Sequence, residues 1–230
     1  MEIRFDPIPG ELTPKDARAL QERLRDQVVL RPPPGLRVAT VAGADISMDL
    51  GSDVGYGGIV VLAAGTLEVV AEATSVTDLP FPYIPGLLSF RELPVLAAAW
   101  ERLELRPDVV IFDGQGTAHP RRFGIACHGG LLFGVPSVGC GKSLLVGKHV
   151  PLGKERGSTA PLEHRGEVVG MAVRTRDRVS PVFVSPGHLM DLETAVAIVL
   201  AAAPKYREPE TTSRAHRLVN ELRRESKASQ

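Results

Sequence analysis

The stretch 109–143, VVIFDGQGTAHPRRFGIACHGGLLFGVPSVGCGKS, constrains the fold more than any other part of the chain. It opens on four apolar residues without alternation, the pattern of a strand buried on both faces. Asp113 stands where that strand should end, and Gly114-Gln115-Gly116 turns the chain away. Open α/β sheets hold their ligands at the carboxyl ends of such strands. His119, Pro120, Arg121 and Arg122 follow, then a helix, a short strand PSVGC and Lys142. One carboxylate, one imidazole and three cations are therefore gathered around a single crossover. A tight turn with solvated charges is the competing reading of the same residues.

Upstream, Thr13-Pro14 places a capping residue before a proline suited to the first helical turn. The spacing of Ala17, Leu20, Leu24 and Val28 predicts an amphipathic helix over 14–28. Residues 37–48, RVATVAGADISM, read as a strand with Val41, Gly43, Asp45 and Ser47 on one face. An acid is disfavoured there, so a buried Asp45 needs a partner, either a metal or a structural salt bridge. Strands at 57–63 and 67–76, joined by a tight turn at Ala64-Gly65, complete an antiparallel meander. In Phe81-Pro82-Tyr83-Ile84-Pro85-Gly86, two prolines and a glycine stiffen a loop that presents Tyr83 and Ile84. Such a loop is either a rigid turn packing its aromatic on the core or a wedge that unstacks bases.

A helix over 87–103 carries Glu92, with Leu93, Leu96, Ala97, Trp100 and Leu103 on its apolar face and Pro94 tolerable only near its start. Beyond the crossover, 148–165 reads as a charged surface loop and 166–174 as an alternating strand. A short strand at 181–185 and an apolar helix over 191–203 follow. Ser213 is expected to cap a final helix, with His216 in its first turn and the last residues frayed.

Three strands, a helix, a strand and a helix, in that order, make the α/β arrangement of ribonuclease H-like folds, a mixed sheet with helices on both faces. There the first and fourth strands are parallel neighbours, which brings Asp45 and Asp113 together at the sheet centre with Glu92 in reach. Three converging carboxylates repel one another unless a hard divalent cation neutralises them. The chemistry implied is in-line attack of water on a phosphodiester.

Composition limits the partners. Lys plus Arg and Asp plus Glu are 27 each, so a nucleic acid has to be held by a local basic patch and not by a global field. At 230 residues, with 43% hydrophobic and 23% charged residues, one domain spanning 1–230 is expected. Cys127 and Cys140, with no CxxC pair, suggest a reducing compartment and no structural zinc. MEIRFDPIPG lacks the basic start and apolar core of a signal peptide, and the apolar run 195–203 is too short to span a bilayer. The expectation is a cytoplasmic, soluble monomer with no membrane partner.

VAGADIS around Asp45, PYIPGLLSFRE, DGQGTAHPRRFGIACH and GCGKS together resemble the endonuclease V family, the deoxyinosine 3′ endonucleases, over roughly residues 10–220. The resemblance implies Mg²⁺-dependent cutting, with Mn²⁺ as a substitute ion, at the second phosphodiester 3′ to a deaminated adenine, leaving 3′-hydroxyl and 5′-phosphate ends. It makes Asp45, Glu92 and Asp113 the metal-binding acids and Tyr83 the wedge, with Ile84, Pro85 and Gly86 in the same substrate-binding loop. It puts His119 and Lys142 near the scissile phosphate and His216 in the catalytic set, with a surface histidine on an amphipathic helix as the alternative for His216. Arg91, Arg121 and Arg122 either contact phosphates or hold the carboxylates. His128 and His188 are read as structural.

Hypoxanthine shows an oxygen acceptor where adenine has an amino donor. Backbone N–H groups that glycines bring close would donate to the oxygen and reject the amino group, and Gly86, Gly114, Gly116 and Gly124 are candidates. Each of them alone is equally ordinary turn chemistry. Three rival readings address the same residues. VVIFD and GCGKS superficially suit a nucleotide hydrolase, but Pro136 occupies the position of the first phosphate-loop glycine and the motif order is reversed. A non-catalytic nucleic-acid-binding relative would be expected to have lost an acid, and all three are present. An enzyme acting on inosine in RNA fits the same residues, because nothing in them decides about the 2′-hydroxyl.

Overall fold

VVIF forms a strand whose four residues are all completely buried, and the rest of the fold is arranged around it. A computed structural model describes residues 12–49, 51–79 and 81–228. The expectation of no leader falls on MEIRFDPIPG, outside the described residues, as do the last two positions of the expected frayed end. The chain runs α1 (Pro14–Arg25), β1 (Thr40–Met48), β2 (Val54–Ala63), β3 (Val69–Asp78), α2 (Leu88–Glu101) and β4 (Val109–Phe112). It continues through α3 (Ile125–Phe133), β5 (Ser137–Gly141), β6 (Thr159–His164), β7 (Glu167–Val173), β8 (Val182–Pro186), α4 (Leu192–Ala202) and α5 (Glu210–Ala228).

The eight strands form one sheet in the order β3-β2-β1-β4-β5-β8-β7-β6. β1, β2 and β3 pair antiparallel as the meander requires, and β4 lies parallel between β1 and β5. One face carries α2 and α3, packed through Leu93, Leu96, Trp100 and Ile125 against Ala42, Ala44 and Phe112. The other carries α4 and α5, whose Ala195, Val199 and Ala215 meet Val41, Ile111 and Val184. α1 adds an outer layer, its Ala17 on Phe81, Leu87 and Phe90 and its Leu24 on Phe123 and Leu131. This is the ribonuclease H-like α/β architecture expected from the element order. Among the described residues no helix is long and apolar enough to cross a membrane.

Two elements depart from expectation. The stretch 148–165 is not all loop, because Thr159–His164 pairs antiparallel with β7 as the edge strand β6. Ala160 and Leu162 alternate inward there, a short signal hidden among Pro, Gly and charge. The last helix begins at Glu210 and not at Ser213. Ser213 donates its amide N–H to the Pro209 carbonyl, so it already lies inside the helix, and His216 sits in the second turn.

Candidate active site

β1 and β4 run side by side with Val41 beside Val109 and Ala44 beside Phe112. Continued by one residue, that register sets Asp45 next to Asp113 at the carboxyl edge of the sheet. Gly43 explains what lies over them. A Cβ there would meet the Thr211 backbone at 2.2 Å, so α5 can lie directly on β1 only because this position is glycine. The close approach carries His216 to Asp45, where its Nδ1 stands 2.8 Å from Oδ2. On the far side of the ring the Asn220 side-chain amide donates to Nε2, and Ser47 Oγ donates to the Asn220 oxygen. These contacts fix the tautomer in which Nδ1–H donates to Asp45.

Glu92 enters from α2, on the opposite layer. Burial, then the charges of Asp45 and Asp113, hold its pKa well above the usual carboxylate range, and Arg91 only partly offsets them. Asp45 is also raised, by burial first and Asp113 second, against the lowering influence of His216. The three acids thus feel one another's charge. They do not close into a finished cage, since among the described residues no three His, Cys, Asp or Glu side chains stand close enough together to hold a metal ion. Lys142, at the end of β5, is the nearby counter-charge. Its Nζ lies 2.8 Å from Asp113 and 3.2 Å from Glu208. Burial alone would lower its pKa, but the hydrogen bonds and charges of these two acids leave it raised, so it stays protonated.

Beside Asp113 and Lys142 opens a cavity of about 360 Å³, walled by the 83–86 loop, the Gly114-Gln115 turn, Gly124-Ile125 and residues 141–145. The loop does not pack its tyrosine on the core. Tyr83 is 69% exposed, and Phe81 supplies the buried aromatic instead. Gly86 turns with φ +79°, a conformation that favours glycine. Its carbonyl is the most heavily bonded group at the site, accepting from Gln21 Nε2 at 3.0 Å, His119 Nε2 at 3.0 Å and Arg121 Nη2 at 2.7 Å. Gln21 in turn accepts from Arg121 Nε and donates to the Phe123 carbonyl. A latch thus joins α1, the loop and the HPRRFG segment.

That latch changes the reading of several residues. His119 is 3% exposed, and its Nδ1 accepts from the Arg121 backbone N–H while Nε2 donates to Gly86. Burial, with the Arg121 charge next, pushes its pKa down to about 4. It is a neutral imidazole with both nitrogens engaged. Arg91 is buried and donates to the Phe81 carbonyl, anchoring the start of the loop. Arg122 turns away from the cavity to pair with Glu167 at 2.9 Å and to donate to the His164 carbonyl, stapling the β6–β7 hairpin. Gly116 faces inward, where a Cβ would strike the Pro186 carbonyl, and its N–H donates to Ser185 Oγ. Gly114 and Gly124 do line the cavity, but their N–H groups already donate to Phe112 and Gly116 carbonyls. His128 sits in the core beside Ser89 and His188 accepts from the Val29 N–H, structural positions for both.

Three participants escaped the sequence reading. Gln21 looks like any polar position on an amphipathic helix, and only its near-complete burial at 1% exposure marks it. Glu208 precedes Pro209 with no motif around it. Gln115 lies inside a recognised motif, yet its tie from Nε2 to the Ser143 carbonyl depends on a distant loop.

Known proteins resemble this chain over nearly its whole length. The family model for Endonuclease V matches residues 22–217. The Endonuclease V of Myxococcus xanthus is 73% identical over 224 residues, 97% of this chain and 95% of that protein. The crystal structure of the Endonuclease V from Streptomyces avermitilis superposes with a TM-score of 0.91 at 46% identity, covering 96% of this chain and 97% of that one. Ciona intestinalis Endonuclease V, crystallised with a 24mer DNA containing an inosine followed by a ribo-adenosine, gives 0.76 at 28% identity over 92% and 98% of the two chains. The chain belongs to the Endonuclease V family and is an endodeoxyribonuclease of ribonuclease H-like fold.

Proposed function

We propose that this protein is a Mg²⁺-dependent repair endonuclease that recognises deoxyinosine in DNA and hydrolyses the second phosphodiester 3′ to it, leaving 3′-hydroxyl and 5′-phosphate ends. The observation that carries the reading is the meeting of Asp45 and Asp113 on adjacent parallel strands, with Lys142 beside them and a cavity opening from the same spot. The Ciona relative bound to inosine-containing DNA supports the choice of substrate.

The chemistry of the donor set, although not drawn into a finished cage, suits a hard divalent cation. Asp45, Glu92 and Asp113 offer only oxygen, and the pKa values of Asp45 and Glu92 are raised by burial first and by the neighbouring acids second, a cost of holding charge that such an ion relieves. When bound, Mg²⁺ would supply charge neutralisation at the phosphate and an activated water. The chain's own groups do the rest. Lys142, held protonated, stabilises the negative charge that grows on the phosphate. His216 orients Asp45 through its Nδ1–H. Tyr83, exposed on a stiff loop, fills the space that a displaced base leaves, and the cavity receives the base. His119, Arg121 and Gln21 act indirectly, by holding Gly86.

Of the glycines considered for reading the base, Gly86 has no backbone acceptor for its N–H among the described residues and lines the cavity. It is the candidate that remains. An N–H there donates to the 6-oxygen of hypoxanthine and rejects the amino group of adenine, since two donors cannot pair. Guanine, which differs only by its 2-amino group, has to be excluded by the cavity wall. Matched oligonucleotides in Mg²⁺, differing only at one base, test this. Strong cutting beside hypoxanthine, intermediate beside xanthine, weak or none beside guanine and almost none beside adenine is expected. Equal cutting beside adenine and hypoxanthine would overturn it. Because the Ciona substrate places a ribonucleotide after the inosine, an RNA arm belongs in the same panel.

A further inference from the structure

The active-site edge of the sheet extends well past Lys142. β8 runs antiparallel to β5 with Phe183 beside Gly141, and β7 runs antiparallel to β8 with Val173 beside Val182. Thr159 of β6 pairs with Val173. The loops 153–158 and 174–181 therefore lie on the same edge as Asp113. Arg207 joins them physically to the site, donating from Nη2 to the carbonyls of Lys142 and Pro181 and from Nε to that of Ser180.

Those loops are basic. A cleft of about 460 Å³ is lined by Lys154, Arg174 and Arg178 alone, with Arg176 exposed on the same turn. The acids in these loops are Glu155 and Asp177, and Asp177 already accepts from the Arg156 backbone N–H at 2.6 Å. Among the described residues none of Lys154, Arg174, Arg176 or Arg178 forms an ion pair with a carboxylate. In a chain of zero net charge, this is a local positive edge that the two loop acids offset only in part.

We propose that this cleft grips the sugar-phosphate backbone of the substrate several nucleotides from the cut. The inference rests on the nucleic-acid reading above and adds a second contact region to it. Three strand steps separate β4 from β7, roughly 14 Å at ~4.8 Å each. That is the rise of about four nucleotides of one strand at ~3.4 Å apiece.

The test uses the full chain with Lys154→Gln and Arg178→Gln together. Both side chains are exposed, whereas Arg174 is spared because its guanidinium holds the Gly153 and Val179 carbonyls. Arg31→Gln with Arg37→Gln, before β1 and so at the opposite sheet edge, is the charge-matched control. Affinity for a duplex with one deoxyinosine and long flanks is measured against salt without divalent cation, then repeated with either flank trimmed to two nucleotides. Loss of two phosphate contacts makes the slope of log K against log salt shallower by about 2. The expected result is that shallower slope on the long duplex, absent in the control and absent once one particular flank is trimmed. A slope equal to the control's overturns the proposal. So does a deficit that ignores both trims, or one that inorganic phosphate reproduces in the unsubstituted protein at every length, which would assign the cleft to a free anion. If the unsubstituted protein ignores deoxyinosine altogether, the proposed function fails while the slope still reports on the cleft.

Discussion

Gln21→Leu is the substitution that most sharply tests how the loop is held. Leucine is close in volume and suits a helix, so α1 should persist. The loss is confined to the amide. Its Nε2 donates to Gly86 and Phe123 carbonyls and its Oε1 accepts from Arg121 Nε at 2.5 Å, all from a side chain 1% exposed. Gly86 keeps two other donors, and partly exposed Arg121 can be rehydrated. The buried Phe123 carbonyl, deprived of this donor, carries the largest single cost, about 1–3 kcal/mol. With the other two bonds at about 1 kcal/mol or less each, the fall in stability should be about 1–5 kcal/mol, a large share of a typical domain's ~5–15 kcal/mol. Urea unfolding measures it. Single-turnover cleavage should also fall, more on duplex than on single-stranded deoxyinosine, because the loosened loop is the one that carries Tyr83. Gln21→Glu should be at least as damaging near neutral pH, since its carboxylate keeps Arg121 but faces two carbonyl acceptors. A stability change below ~0.5 kcal/mol with unchanged rates would show that His119 and Arg121 suffice, and the latch account would be wrong.

Lys142→Ala should lower the single-turnover rate by about 10²-fold or more, beyond any loss of binding; equal losses would make it a general phosphate contact. Tyr83→Ala should weaken binding to duplex deoxyinosine more than to single strands and leave the melting temperature nearly unchanged, as expected for a side chain 69% exposed; the opposite pattern would return Tyr83 to packing. For His119, whose pKa falls from 6.5 to about 4 on folding, the contribution is complete above 6.5 and is lost as pH falls toward 4. At pH 5 the loss is about 2 kcal/mol, so His119→Gln should show a smaller drop in urea midpoint between pH 7 and pH 5 than the unsubstituted protein, and an equal drop would contradict the buried neutral imidazole.

The sheet centre was legible because its signals are local. VVIF, the meander turn and the helix between them give the element order, the ribonuclease H-like arrangement of that order sets the first strand beside the fourth, and this adjacency brings Asp45 to Asp113. What escaped depends on the third dimension. The sequence motif HPRRFG placed His119 near the phosphate and left Arg121 and Arg122 to contact phosphates or hold the carboxylates. In the fold, His119 and Arg121 donate to the Gly86 carbonyl, and the backbone turns through φ +58° at Arg122, whose side chain pairs with Glu167. Spacing cannot reveal such a reversal. β6 was missed for the same reason, since an edge strand with only Ala160 and Leu162 facing inward draws its definition from β7. Gln21 and Glu208 act across long sequence separations, and their residue types carry no signature of it.

The central claim is that the carboxylates gathered at Asp45 and Asp113 cut DNA beside deoxyinosine. Its most direct test incubates the purified protein and its Asp113→Asn variant, each with Mg²⁺, with an end-labelled oligonucleotide carrying one deoxyinosine, and maps the product. The unsubstituted protein should make a single cut at the second phosphodiester 3′ to the lesion. Asp113→Asn should make no cut and should still bind. Cutting by Asp113→Asn at the unsubstituted rate would make the carboxylate cluster a structural network and contradict the account.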